Sequence, residues 1–177
     1  IKSRRSRDLD DIELLEDEKL MALVVDDVKE NRQLLTTLLS DLGSEVLEAE
    51  NGEVALDVLA NNKIDIVFLD ILMPVMDGYQ TVSQIKLNYT NKRPVTIAVS
   101  ASVLNASKVK YQKKGFDDFI SKPIRIEVLY QALKTHLPDK FKQKKISIQP
   151  DKSSVDEALL KIALPKIVVE KLINASK

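Results

Sequence analysis

The chain has 177 residues and a mass of 19.9 kDa, with 27 Lys and Arg against 27 Asp and Glu and a pI of about 6.8. That balance excludes a strongly basic nucleic-acid surface or a polybasic membrane anchor as the dominant feature, and the lack of cysteine excludes disulfide frameworks, thiolate metal sites and cysteine nucleophiles. A hydrophobic fraction of 44% suffices for one core of roughly 100–150 residues with flanking segments. No apolar run reaches the roughly 18 residues of a membrane span and no signal-peptide pattern opens the chain, so a soluble cytoplasmic segment without membrane contact is expected. Ile1 as first residue suggests a piece of a longer chain.

From the amino end, Lys2, Arg4, Arg5 and Arg7 precede Asp8, Asp10, Asp11, Glu13, Glu16, Asp17 and Glu18, so residues 1–19 read as a charged, partly helical linker from an upstream domain. Residues 20–137 alternate apolar runs with helical stripes. Strands are predicted at 20–25, 45–50, 64–69, 95–99 and 119–121. After the first run, Leu34, Leu35, Leu38, Leu39 and Leu42 form a helical stripe that Gly43 caps. A second helix follows Asn51-Gly52 through Val54, Ala55, Val58 and Leu59; a third carries Tyr79, Val82 and Ile85. Val109 and Tyr111 mark a weaker fourth, and Ile126, Leu129, Tyr130 and Leu133 a fifth. This βαβα order predicts an α/β fold, a parallel sheet with helices on both faces. Residues 138–154, with Lys140, Lys142, Lys144, Lys145 and Pro150, read as a second linker. Residues 155–177 turn apolar again but are interrupted by Pro165, and read as a partial helical segment of a following element.

In open parallel sheets, ligands bind beyond the carboxyl ends of the strands, where strand order reverses. Asp26 and Asp27 follow the first apolar run, Asp70 the third, Ser100 the fourth, and Lys122 and Pro123 the fifth. Taken singly, Asp27 reads as a helix cap, Asp70 and Ser100 as turn residues, Lys122 as a solvated cation and Pro123 as a helix start. Taken together they place carboxylates at the ends of neighbouring strands, where a pair about 4 Å apart repels by roughly 4 kcal/mol at an effective dielectric near 20. A cation is the natural compensation, and an oxygen-only ligand set without His or Cys favours Mg²⁺ or Mn²⁺ over zinc. Such an ion also cancels charge on a phosphoryl group.

Val24-Val25-Asp26-Asp27, Phe68-Leu69-Asp70-Ile71-Leu72-Met73-Pro74-Val75-Met76-Asp77-Gly78, Ser100-Ala101 and Ser121-Lys122-Pro123 resemble the signature of the response-regulator receiver domain of two-component signalling. The resemblance covers residues 20–137 with the motifs in order. Glu30-Asn31-Arg32, Ala98-Val99-Ser100-Ala101-Ser102-Val103 and Asp118-Phe119-Ile120-Ser121-Lys122-Pro123 further resemble receivers of hybrid sensor histidine kinases. The implied fold is a three-layer, flavodoxin-like (βα)5 receiver with parallel strand order 2-1-3-4-5.

The resemblance implies that Asp70 is the nucleophile that takes a phosphoryl group from phosphohistidine. Asp27 and Asp70 would bind Mg²⁺ directly, Asp26 through water, and Leu72 by its backbone carbonyl. Lys122 would contact Asp70 at rest and a phosphoryl oxygen afterwards. Ser100 would then hydrogen-bond another phosphoryl oxygen, and Phe119 would rotate toward the space its loop vacates, a two-state switch. A cis Lys122–Pro123 bond is also expected. The implied partners are a histidine kinase or histidine phosphotransfer domain as donor and the neighbouring domains of the parent chain, with no nucleic acid bound directly. A receiver of this kind catalyses its own aspartyl phosphorylation and dephosphorylation, and no kinase nucleotide-binding box is present in the sequence.

Three positions depart from the family pattern. Ser100 stands for the more frequent Thr and keeps the hydroxyl, Phe119 stands for Tyr and lacks one, and Leu72 is apolar where polar groups can orient a hydrolytic water. Leu72 also argues against a haloacid-dehalogenase-type phosphatase, which needs an acid there, and Asp26-Asp27 against a flavodoxin-like cofactor site, which needs a phosphate-cradling loop. A stand-alone or other multidomain response regulator is the alternative to a hybrid kinase, and an inactive pseudo-receiver binding module is the other. His136, the only histidine, reads as a solvated helix-end residue rather than a phosphodonor.

Overall fold

The structure is a computed structural model that describes residues 12–15, 19–90, 92–101 and 108–143. The apolar segment expected at 155–177 lies outside the described residues. In chain order the elements are β1 Ile12–Leu14, β2 Met21–Val25, α1 Lys29–Ser40, β3 Glu45–Ala49, α2 Gly52–Asn61, β4 Ile66–Asp70 and α3 Gly78–Asn88. They continue with β5 Val95–Ser100, α4 Lys108–Lys114, β6 Asp118–Ser121, α5 Ile126–His136, a 3-10 turn at Pro138–Lys140 and β7 Phe141–Gln143.

Strands β2 to β6 form a parallel sheet in the order β3-β2-β4-β5-β6. Numbered from its own first strand, this is the expected 2-1-3-4-5. Every residue of β4 is buried, as a central strand covered on both faces requires. On one face Leu35 and Leu39 of α1 and Leu129 and Leu133 of α5 pack with Val24, Phe68 and Ile97. On the other, Ala55 and Leu59 of α2, Val82 and Ile85 of α3 and Tyr111 of α4 pack with Leu23, Val67, Leu69 and Ala98. Helix α1 ends as expected: Gly43 has a φ of +88°, and the Ser44 amide returns to the Leu39 carbonyl at 3.1 Å. Leu34, Val54 and Val109 were expected in the buried stripes but are exposed, because each helix covers the sheet with a narrower face than its apolar residues occupy.

A second, two-stranded sheet was not foreseen. Strand β1 pairs antiparallel with β7, joining Ile12 to Gln143 and Leu14 to Phe141 within segments read as linkers. Leu14 and Phe141 pack on the α1/α5 core, which draws these short pieces out of the charged sequence around them. The Lys140 ammonium donates to the Lys19 carbonyl at 2.7 Å and lies 3.6 Å from Asp65, whose other contact is the Met21 amide at 2.9 Å. The two flanking segments are thereby fastened at the amino ends of the strands.

The loop from β4 to α3 contains Val75 at a φ of 68°, the only positive-φ residue other than glycine among those described. A β-branched side chain in the left-handed region costs roughly 1–2 kcal/mol, and Val75 is 71% exposed, so little packing offsets that cost. Val75→Gly is therefore predicted to raise the unfolding free energy by about 0.5–1 kcal/mol, the relief being reduced by the greater entropy of glycine in the unfolded chain. Urea denaturation checks this; a variant no more stable than the parent contradicts it.

Candidate functional site

Strand register builds the site. Val25 pairs with Leu69, so the next residues, Asp26 and Asp70, stand side by side at the carboxyl ends of the two central strands. Asp70 pairs with Val99, which sets Ser100 one residue further along, and Ser100 pairs with Ser121, which sets Lys122 just beyond the edge strand. Strand order reverses between β2 and β4, the position where such sheets bind ligands. The five residues expected at this rim therefore come from four strand ends.

Asp26, Asp70 and Ser100 are buried, and Asp27 is exposed. Oxygen atoms of the Asp26, Asp27 and Asp70 carboxylates lie within 4.8 Å of one another, a grouping able to hold a metal ion. The Lys122 ammonium donates to Asp70 Oδ2 at 2.6 Å and to Asp26 Oδ2 at 2.7 Å. Asp26 Oδ1 accepts from the Val28 amide at 2.9 Å and the Asn31 side chain at 3.1 Å. Asp70 Oδ1 accepts from the Leu72 amide at 3.3 Å. The Leu72 side chain is 77% exposed, so at this position only the backbone faces the cluster's chemistry. The Lys122–Pro123 bond is cis.

Burial pushes the Asp70 carboxyl up, and the nearby Asp26 charge adds to this; the Lys122 ammonium pulls it back without cancelling the rise. Burial draws Lys122 down, but its bonds to Asp26 and Asp70 more than offset this and leave it raised. Lys122 is thus firmly charged, while burial leaves Asp70 a carboxyl that holds its proton more tightly than an exposed one.

Some supporting residues carry the family resemblance in the sequence without a role that the sequence reveals. Arg32 donates to the Asp26 carbonyl at 2.6 Å and pairs with Glu48 at 3.3 Å, holding the turn after β2 against β3. Gly78 must be glycine for space: a Cβ there would lie 2.3 Å from the Asp70 carbonyl oxygen. Its amide donates to the Ile71 carbonyl at 3.0 Å, closing the loop after Asp70. Its place in the Met76-Asp77-Gly78 run was the only signal. Asp77 caps α3 reciprocally with Gln80. Phe119 is half-buried on β6 and stacks on Tyr111. His136 differs from expectation: it is not a solvated helix-end residue, because Nε2 lies 2.9 Å from Asp118 Oδ2 and its side chain is 17% exposed.

Residues 22–134 match the family model of the response regulator receiver domain. The chain belongs to this family. The receiver is 38% identical over 119 residues to protein PilG of Pseudomonas aeruginosa, an alignment covering 67% of this chain and 88% of PilG. It is 43% identical over 115 residues to sensor histidine kinase RcsC of Salmonella typhimurium, covering 64% of this chain but 12% of RcsC. Among solved structures, the Vibrio cholerae chemotaxis protein CheY4 matches with a TM-score of 0.62 and 27% identity, over 68% of this chain and 100% of that one. The fold and the two-component receiver assignment expected from the motifs are thereby shown. No helix among the described residues is long and apolar enough to cross a membrane.

The sign of the Asp70 shift gives a pH prediction. A carboxyl that holds its proton more tightly in the folded state adds stability at low pH, and this is lost as pH rises through the folded value. The raised Lys122 value acts only at high pH, since its contribution is complete below the ordinary lysine value. Metal-free wild type is therefore predicted to lose stability relative to Asp70→Asn between acidic and neutral pH, leaving the variant the more stable at pH 7. Urea melts in chelator across that range check this; an unchanging difference contradicts it.

Proposed function

We propose that Asp70 is the phosphoacceptor of this receiver and that Asp26, Asp27, Asp70 and the Leu72 carbonyl form its divalent-cation site. The observation that carries this reading is the convergence of three carboxylates and the Lys122 ammonium where strand order reverses. The oxygen-only donor set fits Mg²⁺, with Mn²⁺ as a substitute. In the arrangement the family resemblance implies, Asp27 and Asp70 are the direct ligands and Asp26 acts through water; Asp26 Oδ1 is already held by two donors, the Val28 amide and the Asn31 side chain, against one on Asp70 Oδ1. When bound, the ion supplies positive charge that offsets repulsion between the carboxylates and an incoming phosphoryl group.

The residues of the chain then divide the work. An Asp70 carboxylate oxygen attacks phosphorus; the bond to the donor histidine nitrogen breaks, its electron pair stays on the imidazole, and an acyl phosphate forms. Lys122 transfers its hydrogen bond from the Asp70 oxygen to a phosphoryl oxygen. The Ser100 hydroxyl donates to another phosphoryl oxygen, drawing its loop inward and opening room for Phe119 to rotate. With an apolar side chain at Leu72, no polar group at that position orients a hydrolytic water, so the acyl phosphate persists well beyond seconds.

The donor is a phosphohistidine on a histidine kinase or phosphotransfer domain, and the output is conformational, read by a partner or by neighbouring domains. The chain spans about 12% of the length of RcsC, and this supports a parent that is itself a hybrid sensor histidine kinase, with the receiver at 20–137 on the cytoplasmic side. A stand-alone regulator remains the competing architecture, supported by the 88% coverage of PilG.

Intact-mass measurement after incubation with Mg²⁺ and a small phosphodonor is predicted to show gain of one phosphoryl group by wild type, none by Asp70→Asn, and none by wild type in chelator. Failure of wild type to gain it, or equal gain by the variant, contradicts the reading. Mg²⁺ at about 100 times its Kd is predicted to raise the unfolding free energy by about 2.7 kcal/mol.

A further inference from the structure

Phe119 does not stand alone on β6. Its ring stacks on Tyr111 of α4, with centroids 5.1 Å apart and planes 25° from parallel. Tyr111 is 4% exposed and is fixed on another side by Phe116, which meets it edge-on at 6.1 Å. Phe116 in turn meets Tyr79 edge-on at 6.1 Å, and Tyr79 follows Gly78 at the start of α3, where the loop from Asp70 ends. The Lys114 ammonium lies 5.7 Å from the Tyr79 ring centroid. The rings therefore form a chain from the loop after Asp70, through α4, to Phe119.

We propose that Tyr111 is a positioning residue that brakes the switch, its stacked ring holding Phe119 in the resting arrangement. This inference rests on the reading of Asp70, Ser100 and Phe119 given above. The contact belongs to the resting arrangement because Lys122 still bridges the free Asp26 and Asp70 carboxylates. Tyr111 is held by Phe116, while Phe119 is half-buried and borders a groove lined by Asp118, Val128, Ala132 and Thr135. Of the two rings, Phe119 is the one with room to turn. In this proposal the rotamer change takes the Phe119 centroid beyond stacking distance, which makes the stack present in one state of the switch and absent in the other. Only such a differential contact shifts a two-state equilibrium. Losing it favours the rotated state by about two- to twelvefold, the range of measured aromatic pairs. Because Tyr111 is carried by α4, the same contact ties rotation of Phe119 to the position of that helix.

The test uses the full chain with Tyr111→Leu and Tyr111→Met, which keep apolar volume without the ring, and Tyr111→Phe, which keeps the ring. The initial rate of phosphoryl uptake from a small donor at saturating Mg²⁺ is measured, together with the ¹⁹F resonance of Phe119 in fluorophenylalanine-labelled protein. The expected result is a two- to twelvefold faster uptake by the Leu and Met variants, matching the aromatic-pair range. Their unphosphorylated Phe119 resonance moves toward the position wild type takes after uptake, Tyr111→Phe stays near wild type, and Mg²⁺ affinity is unchanged in all. Uptake by wild type with no gain in rate and no shift in either apolar variant overturns the brake and leaves the site reading standing. Loss of cooperative melting in both variants also overturns it, by making Tyr111 a packing residue. No uptake by wild type overturns the site reading and the brake together.

Discussion

The Lys122 ammonium, shared between Asp26 and Asp70 at 2.7 and 2.6 Å, is the contact on which the rim of the sheet depends. Parallel pairing of the two central strands leaves these carboxylates no freedom to separate, because Val25 and Leu69 are locked in register beneath them. One ammonium cannot neutralise two buried carboxylates and the exposed Asp27 beside them. The remaining negative charge has two outlets, a bound proton and a bound cation. Burial, with the Asp26 charge adding to it, raises the proton affinity of Asp70 and so favours the first; the proposed divalent site is the second. In the proposed function a phosphoryl group adds further negative charge, so the site proposed to draw a cation would also make phosphorylation depend on one.

The rest of the structure holds those few groups still. The sheet is covered on both faces, and its buried strands fix the heights of Asp26, Asp70, Ser100 and Lys122 to within two residues of one another. Arg32 and Asn31 tether Asp26 through its carbonyl and carboxylate respectively, and Gly78 lets the loop after Asp70 fold back against its backbone. The positive φ of Val75 lies in that same loop, so the one non-glycine residue in the left-handed region among those described is in the segment that follows the proposed phosphoacceptor. Strain near a functional loop is consistent with a segment shaped for geometry before stability.

Much of this was legible in the sequence because parallel strands buried on both faces must be apolar runs, and the residue after each run must lie at the rim. That rule locates Asp26, Asp27, Asp70, Ser100 and Lys122 without coordinates, and the observed strands end within one residue of the runs, with Asp70 and Ser100 as the last residues of theirs. Short pieces escaped it. The β1–β7 ribbon has three residues a side amid charged sequence, and depends on pairing between positions far apart in the chain. His136 reads as a solvated helix end until β6 brings Asp118 within 2.9 Å of it. Leu34 and Val109 look like core from spacing alone; tertiary packing decides which apolar residues of a helix stay outside. The stacking of Phe119 on Tyr111 joins β6 to the helix before it, and no periodic pattern within either element announces it.

In the proposed site, positive charge holds the strand-end carboxylates together, and Lys122 and a divalent cation share this task. Calorimetric Mg²⁺ titration of wild type and Lys122→Met, with metal-free urea melts of both, tests it most directly. The account predicts that the variant loses about 1–3 kcal/mol of metal-free stability, as two buried carboxylates lose their partner. It also predicts tighter Mg²⁺ binding by the variant, since the competing ammonium is gone. Equal metal-free stability together with unchanged or weaker Mg²⁺ affinity would contradict it.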